Sequence, residues 1–219
     1  TYVPEQQIGA WHQHDTDGTF ESVACVSEGN DDVTYCVVKR TIHGASKRYV
    51  ERMGTRLFET QRDNFFVDAG GSYNGTNTDT NHTVTISGGT NYTKGETVTI
   101  TTNYNLFNAP PSVADVNDAI VLVDGTTLYR LTILGTSSQT VANAKLDKDL
   151  PASLRNTGLT SYEVARNVIT GLSWLEGKTI NILADGAVHP QKVVSSGSIT
   201  LDRAASVVHL GLPYESDLL

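Results

Sequence analysis

The start of the chain carries the clearest candidate for metal chemistry. His12 and His14 alternate along a predicted strand, so their imidazoles would point to one face, and Asp15 and Asp17 follow in the next turn. Histidine nitrogens and carboxylate oxygens are ligands that Zn²⁺ uses in proteins. However, HQHDTD is not the H-x-H-x-D-H arrangement of binuclear hydrolases, and a third ligand is not evident. We therefore favour an exposed strand that enters a DTDG turn, and we predict no metal.

The two cysteines, Cys25 and Cys36, flank the turn segment SEGNDD. A symmetric hairpin register would pair Val26 with Tyr35 and Cys25 with Cys36, which would allow a cross-strand disulfide. Two buried thiols that pack as small hydrophobic side chains are the favoured interpretation. The sequence leaves open whether the two sulfurs are bonded.

The sequence contains no convincing motif for catalysis. GGSYNG and GLSWLEG lack the G-x-S-x-G spacing of a nucleophile elbow, and no phosphate-binding glycine motif follows a strand. The carboxylates of Asp31 and Asp32 fall in a turn, where contact with solvent is favoured over action on a glycosidic bond. We therefore predict that the chain is not an enzyme and has no catalytic or cofactor-binding residues.

Aromatic and basic residues suggest two binding hypotheses. Trp11 and Trp174 could stack on sugars, but both have apolar neighbours, so core packing is favoured. A basic series could contact DNA or an acidic face of a neighbouring subunit; its members are Lys47, Arg48, Arg52, Arg56 and Arg62. The formal net charge of −8 argues against duplex-DNA binding, which needs clustered cations. Solvated side chains or ion pairs between subunits are favoured for the series.

The elements that would position these residues are mostly strands. Residues 8–14, 20–27, 33–42 and 47–53 predict four consecutive strands, as in an antiparallel meander or a propeller blade. The third is apolar on both faces, which predicts a strand covered on both sides. A tight turn at His43 and Gly44 should close a hairpin, with Gly44 at positive φ.

The middle of the chain changes in composition. Residues 69–82 are polar and rich in glycine, which is typical of a linker or an exposed edge, and a linker is the predicted assignment. Residues 83–158 then predict an inserted small β-barrel, in which residues 96–102 alternate as a half-buried strand does. Asp124 and Gly125 separate two apolar runs, which is a strong hairpin signal.

The last part, residues 159–219, predicts one short helix and a second meander. The helix is expected in TSYEVARNVITGL, with Thr160 or Ser161 as its N-cap and Gly171 at its end. Hairpin turns are expected at residues 185–186 and 196–197. Because the meander resumes after the insertion, residues 1–68 and 159–219 should form one domain. The predicted class is mainly β.

Length and composition set broad limits. The chain has 219 residues, enough for one large β domain or two small ones. It has no apolar run of about 18 residues, as a membrane span needs, and no visible signal peptide. It starts with TYVPEQQ and ends with PYESDLL, as a fragment of a longer polypeptide would.

Three blocks of sequence carry a resemblance to a known family. The first comprises AWHQHDTDGTFESVA and KRYVERM, the second is VNDAIVLVDGTTLYRLTILGTSSQTVANAKLDKDLPASL, and the third is ITGLSWLEGKTINILADGAVHPQKVVSSGSITLDRAASVVHLGLPYESDL. In this order they resemble tail proteins of short-tailed bacteriophages, of the nozzle or tubular-B (stabilisation) type. The second block is also similar to the insertion named after the first catalytic-cysteine half-domain of ubiquitin-activating enzymes. Residues 83–149 contain no cysteine, so only a barrel-like shape is implied there.

The resemblance implies a structural protein of the virion, made in the host cytoplasm. Such proteins form rings, commonly hexamers, at the distal end of a short tail and line part of the channel through which DNA leaves. Copies of the chain and other tail proteins would be its partners, the host surface a further one, and DNA would pass without specific binding. Contacts between blades and subunits would then depend on Trp11, Tyr35, Tyr49 and Trp174.

Two alternatives from other classes remain. One is an adhesin in which the inserted module binds a glycan or receptor through exposed aromatic residues such as Tyr73, Tyr92, Tyr104 or Phe107. The other is a hydrolase of cell wall or capsule, which requires two carboxylates at catalytic separation in a cleft.

Overall fold

The protein consists almost entirely of antiparallel β-sheet. The computed structural model describes residues 2–3, 8–9, 12–29, 31–54, 59–110 and 113–218. Strands account for 59% of the structure and helical turns for 5%. These values confirm the predicted mainly β class.

The strands of the described part are β1 (Tyr2–Val3), β2 (Ile8–Gly9), β3 (His12–Thr16), β4 (Thr19–Glu28), β5 (Asp31–Ile42), β6 (Ala45–Arg52), β7 (Asp68–Asn74), β8 (Val84–Ser87), β9 (Thr97–Thr102), β10 (Ala119–Asp124), β11 (Thr127–Ser138), β12 (Val141–Leu146), β13 (Gly158–Leu159), β14 (Tyr162–Ile169), β15 (Thr179–Ala184), β16 (Ala187–Val193), β17 (Ile199–Ala205), β18 (Val207–Leu212) and β19 (Tyr214–Leu218). The helical turns described are of the 3-10 type, at Gln61–Asp63, Ala152–Leu154 and Ser173–Leu175.

The chain divides into two compact units. The first unit contains Thr1–Ser72, Thr170–Ile199 and His209–Leu219, and the second contains Tyr73–Ile169 and Thr200–Val208. The predicted division differs from this one, because it places residues 159–169 and 200–208 in the same domain as residues 1–68, whereas the structure places them in the second unit. The predicted linker, residues 69–82, contains most of β7 instead, so its glycine-rich composition does not mark a structureless connection.

The opening segment forms a three-stranded meander, β4-β5-β6, in the first unit. The predicted four-stranded blade is wrong in one respect, because β3 pairs with β19 from the end of the chain. The predicted turn is confirmed, since Ile42 pairs with Ala45 and His43 and Gly44 have φ values of 49° and 72°. The expected cover on both faces of β5 is not found, because residues 34–37 are partly exposed and residues 39 and 41 are exposed.

The β4–β5 register differs from the symmetric one expected from the cysteines. Glu28 pairs with Asp31, so only two residues separate the strands, and Cys25 lies opposite Thr34. The shorter turn shifts the pairing by two residues and separates the two cysteines. Both thiols are free, Cys25 is exposed and Cys36 is partly exposed, so neither a disulfide nor two fully buried thiols is found. Partial burial raises the pKa of the Cys36 thiol.

The second unit is built on an eight-stranded sheet with the order β13-β8-β9-β12-β11-β10-β14-β17. No pairing joins the two end strands among the described residues, so the predicted small barrel is an open sheet. The Asp124-Gly125 hairpin is confirmed by the pairing of Asp124 with Thr127. The core of this unit contains large apolar side chains that are fully buried, among them Ile86, Ile100, Ile120, Leu122, Leu131 and Ile133.

The predicted helix in TSYEVARNVITGL is wrong, because the segment forms strand β14. It pairs antiparallel with β10, and Ala119 lies opposite Ala165 while Leu122 lies opposite Tyr162. The apolar residues of the predicted helix include Val164 and Val168, which are β-branched and therefore favour an extended backbone. Burial against the apolar residues 119–122 of β10 therefore overrides the local helix signals.

A four-stranded sheet has the order β16-β15-β18-β7, so it combines β7 with strands from the last part of the chain. The predicted turn at Asp185 and Gly186 is confirmed by φ values of 50° and 82° between β15 and β16. The second predicted turn is confirmed by φ values of 54° at Ser196 and 66° at Gly197. Because Gly186 and Gly197 lack a Cβ, they adopt this left-handed conformation without steric cost.

A carboxylate organises the turn that precedes β9. Glu96 accepts hydrogen bonds from the backbone N–H groups of Thr93 at 3.0 Å, of Asn91 at 3.2 Å and of Thr90. The bond from Thr93 is the first cause of a lowered pKa of Glu96. Only the ionised carboxylate satisfies all these donors, so the turn depends on its charge.

Glu96→Gln is therefore expected to lower the melting temperature at neutral pH. A lowered folded-state pKa contributes stability above the unfolded-state value near 4.5, and this contribution disappears as pH falls through the folded-state pKa. The difference from the wild type should accordingly shrink below about pH 4. Thermal unfolding followed by circular dichroism across this range tests it, with the exposed Glu59→Gln as control. A difference that persists unchanged at low pH would contradict the electrostatic explanation.

Candidate functional site

An open cleft of about 300 Å³ lies in the second unit. Three parts of the chain line it: residues 73–79 together with His82, then Tyr104 and Leu106 after β9, and finally Tyr162, Val164 and Arg166 of β14. Most of the lining side chains are neutral and polar, or aromatic. We call residues 73–79 the cleft wall.

Backbone hydrogen bonds fix the cleft wall in place. The N–H of Gly75 donates to the carbonyl of Ser206 at 2.7 Å, and the N–H of Val164 donates to the carbonyl of Gly75 at 2.8 Å. The N–H of Asn77 donates to the carbonyl of Tyr162 at 3.0 Å. The wall is thus an additional strand-like edge along β14, although its composition predicts a linker.

The Asn77 side chain closes the loop that follows the wall. Its Nδ2 donates to the carbonyl oxygens of Thr160, Asp79 and His82 at 2.9, 3.0 and 3.3 Å. The Asp79 carboxylate accepts from the backbone N–H and the Nδ2 of Asn81 at 2.9 and 3.0 Å. These bonds, the backbone one first, lower the pKa of Asp79, so this side of the cleft keeps a negative charge.

Aromatic rings form the apolar part of the cleft. The His82 and Tyr104 rings stack at a centroid distance of 3.9 Å and an interplanar angle of 11°. The hydroxyls of Tyr104 and Tyr162 are 2.8 Å apart, and burial raises the pKa of Tyr162. The Tyr73 hydroxyl donates to the carbonyl of Val164 at 2.8 Å, and burial raises its pKa as well. The phenols of Tyr73 and Tyr162 are therefore protonated at neutral pH.

Two buried carboxylates neutralise the arginine of the cleft. Arg166 Nη1 lies 2.8 Å from Asp118 Oδ2 and 3.1 Å from Asp115 Oδ1. Asp118 also accepts from the N–H of Asn167 at 2.6 Å, and Asp115 accepts from the N–H of Asn108 at 2.8 Å. Burial is the first cause of a raised pKa of Asp118, against the opposing effects of Asn167 and Arg166. The cluster thus offers no excess positive charge to a ligand.

The structure separates the four aromatic residues proposed for an adhesin platform. Tyr73 and Tyr104 line the cleft, whereas Tyr92 and Phe107 are buried at 7% and 4% exposure. Sequence reasoning missed His82 and Tyr162. Tyr162 lies in the segment for which the sequence predicts a helix. Residues 82, 104 and 162 are far apart in the sequence, so no local motif links them.

The residues considered for metal binding are described only in part. The backbone of His12 and His14 belongs to β3, while their side chains and Trp11 lie outside the part of the chain that the structure describes. Asp17 accepts from Lys178 Nζ at 2.7 Å. Within the described residues, no three side chains of His, Cys, Asp or Glu are grouped to hold a metal ion.

Other residues singled out in the sequence have structural contacts. Trp174 is partly buried and its Nε1 donates to the carbonyl of Ala69 at 2.9 Å. Tyr35 and Tyr49 are partly buried on the β4-β5-β6 meander, and Tyr35 donates its hydroxyl to Glu28. Asp32 accepts from Ser27 Oγ at 2.9 Å, beside the hairpin turn.

Three members of the basic series form ion pairs within the first unit. Arg48 lies 2.6 Å from Glu21, Arg52 lies 3.2 Å from Glu28, and Arg62 lies 3.4 Å from Asp185; these are nitrogen-to-oxygen distances. Arg56 lies outside the described residues. These three charges are therefore already compensated inside the chain.

The β4-β5-β6 meander exposes large apolar side chains on both faces. Phe20 is 51% exposed, Val23 67%, Val26 46% and Val50 73%. Val23 lies opposite Cys36, which lies opposite Glu51, so Val23 and Val50 occupy opposite faces. We call these four residues the meander patch. Large apolar side chains exposed on a sheet face make that face a candidate interaction surface.

Comparison with known proteins gives no identification. No protein-family model matches the chain, and no curated protein matches it significantly. None of the helices in the described part of the chain is long and apolar enough to cross a membrane.

Proposed function

We propose that this chain is a structural component of the tail of a short-tailed bacteriophage, in which its meander patch forms contacts between subunits. The exposure of the meander patch on both faces of one sheet carries the proposal. Valine and phenylalanine side chains contribute about 1.5–3 kcal/mol each when fully buried, so their burial between subunits would stabilise an assembly. The sequence resemblance supplies the setting, a ring at the distal end of the tail.

The charges around the meander patch suit such a contact. The ion pairs Arg48–Glu21 and Arg52–Glu28 lie on the same three strands as the exposed valines. Because each charge already has a partner, a neighbouring subunit does not have to compensate an isolated ion. The pairs also give the rim of the interface a polar character, as is usual in protein interfaces.

The net charge of −8 fits a passage for DNA rather than a DNA-binding site. An acidic wall repels the phosphate backbone and so lets the polymer move without adhering. The proposed role is mechanical and non-enzymatic, and it includes contacts with copies of the chain, in a hexamer by the resemblance, and with other tail proteins. The protein would be made in the host cytoplasm and reside in the virion.

Electron microscopy of the intact virion tests the proposed location. Density that fits the two β units of this chain is expected in a ring at the distal end of the tail. Density in the capsid shell instead would refute the proposal.

A charged double variant tests the role of the meander patch. Val23→Lys/Val50→Lys is expected to reduce incorporation of the chain into tails at least tenfold, because two lysines would be desolvated at the subunit contact. Quantitative mass spectrometry of purified particles measures the incorporation. The matched control is Val188→Lys, which changes an 89% exposed valine of β16 in the same unit.

A loss of incorporation can be distinguished from misfolding of the variant. Surface substitutions of this kind change the free energy of unfolding by about 0.5 kcal/mol or less, which thermal unfolding verifies for each variant. If the double variant enters tails as well as Val188→Lys does, the meander patch is not a subunit contact.

A further inference from the structure

We infer that the cleft of the second unit is a binding site for a neutral saccharide. This inference goes beyond the structural role and is independent of it, since it concerns a ligand of the second unit and is measured on the free chain. It rests on the size of the cleft, its aromatic rings, its neutral hydrogen-bonding groups and its compensated charge.

The size of the cleft limits the ligand. A volume of about 300 Å³ lies at the lower end of the range for small-molecule sites, which is roughly 300–1,000 Å³. One or two sugar rings suit this volume, and the open form of the cleft lets a longer chain continue into solvent.

The cleft combines aromatic rings with neutral polar groups, as a sugar requires. The stacked pair of His82 and Tyr104 offers apolar surface to the C–H face of a pyranose ring. The hydroxyl pair of Tyr104 and Tyr162 uses one proton in its mutual hydrogen bond, so the accepting hydroxyl keeps a proton for another acceptor. The side chains of Asn74 and Thr76 add amide and hydroxyl groups to the lining, and both types can donate and accept.

The charges of the cleft select against anions. Arg166 is bound by Asp115 and Asp118, so its charge is compensated within the protein. Asp79, whose pKa is lowered, adds a negative charge to the lining. A phosphate, a sialic acid or a nucleic-acid strand would therefore meet repulsion, whereas a neutral sugar would not.

The cleft is also held in shape before a ligand arrives. The cleft wall is joined to β14 by backbone hydrogen bonds, and the Asn77 side chain ties three carbonyl groups together. A preformed site avoids the entropic cost of ordering a loop on binding. This favours measurable affinity for a ligand as small as one sugar ring.

Titration of the ¹⁵N-labelled chain with sugars tests the inference. The probes are glucose, galactose, mannose, rhamnose and N-acetylglucosamine, with N-acetylneuraminic acid as the anionic comparator. We expect at least one neutral sugar to shift the amide signals of the cleft wall and of Tyr104 with a millimolar Kd, and the anionic sugar to bind at least tenfold more weakly. An array of neutral glycans then shows whether a terminal sugar of a longer chain binds more tightly than the free sugar.

Two variants connect the binding to the cleft. Tyr104→Ala should weaken binding at least tenfold, whereas Tyr129→Ala, which removes another partly buried tyrosine from the same core, should leave the Kd within twofold. Thermal unfolding of both variants controls for loss of the fold. The inference is overturned if no neutral sugar shifts the cleft signals in the titration or on the array, if the anionic sugar binds more tightly, or if folded Tyr104→Ala binds as the wild type does.

Discussion

Arg166→Ala is expected to lower the free energy of unfolding by about 3 kcal/mol, the lower end of the range for breaking a buried ion pair. The side chains of Asp115 and Asp118 are only 1% and 3% exposed, so without the guanidinium their charges remain buried and uncompensated. Arg166 itself is 27% exposed, which lets water compensate part of the loss. Chemical denaturation at neutral pH measures the change.

The pH dependence of this loss identifies its cause. Because burial raises the folded-state pKa of Asp118 above the usual value of 3.8, this group contributes stability when protonated, and the contribution is lost as pH rises through the folded-state pKa. Removal of the arginine should raise that pKa further. The deficit of Arg166→Ala should therefore be largest at neutral pH and shrink as the pH falls toward about 4.

Two further variants separate charge from packing. Arg203→Ala removes an exposed arginine of β17 and should change the free energy of unfolding by about 0.5 kcal/mol or less. Asp118→Asn combined with Arg166→Ala should recover part of the stability, because one buried charge is gone while the oxygen still accepts from Asn167. A double variant less stable than Arg166→Ala alone would show that the arginine acts by packing.

The strand content and most hairpin turns could be predicted because they depend on local signals. Asp124-Gly125, His43-Gly44 and Asp185-Gly186 each place a glycine that adopts positive φ between two strands, and this information lies within a few residues. Strand β14 could not be predicted in the same way. Its pattern of apolar residues fits either a helix or a strand, and only the partner β10, about forty residues earlier in the chain, decides between them.

The candidate site was only partly predictable for a related reason. The adhesin hypothesis names Tyr73 and Tyr104 as exposed aromatic residues, but it names Tyr92 and Phe107 in the same way, and the structure buries both. Tyr162 and His82 reach the cleft through pairings between distant segments. The pairing of the cleft wall with β14 creates the site, and a polar, glycine-rich composition gives no sign of it.

Gly75→Ala is expected to destabilise the second unit by about 3 kcal/mol or more, which exceeds the usual cost of one added methyl group in a packed interior. A Cβ at this position would lie 1.9 Å from the carbonyl oxygen of Val164 and 2.8 Å from the Tyr73 hydroxyl. The carbonyl belongs to the backbone of β14 and cannot turn away as a side chain does. The wall must therefore separate from the strand and lose the hydrogen bonds of Gly75 to Val164 and Ser206, worth about 1 kcal/mol each.

Gly135→Ala is the matched control, because a Cβ there meets nothing within 4 Å. It should be neutral or stabilise the protein by up to about 1 kcal/mol, since alanine restricts the unfolded chain more than glycine does. Hydrogen exchange adds a local readout: in Gly75→Ala the amides of Gly75, Asn77 and Val164 should exchange faster than in the wild type, because Asn77 and Val164 donate across the junction of the wall with β14 and Gly75 donates to Ser206. If Gly75→Ala were as stable and as protected as Gly135→Ala, the cleft wall would not depend on its close approach to β14.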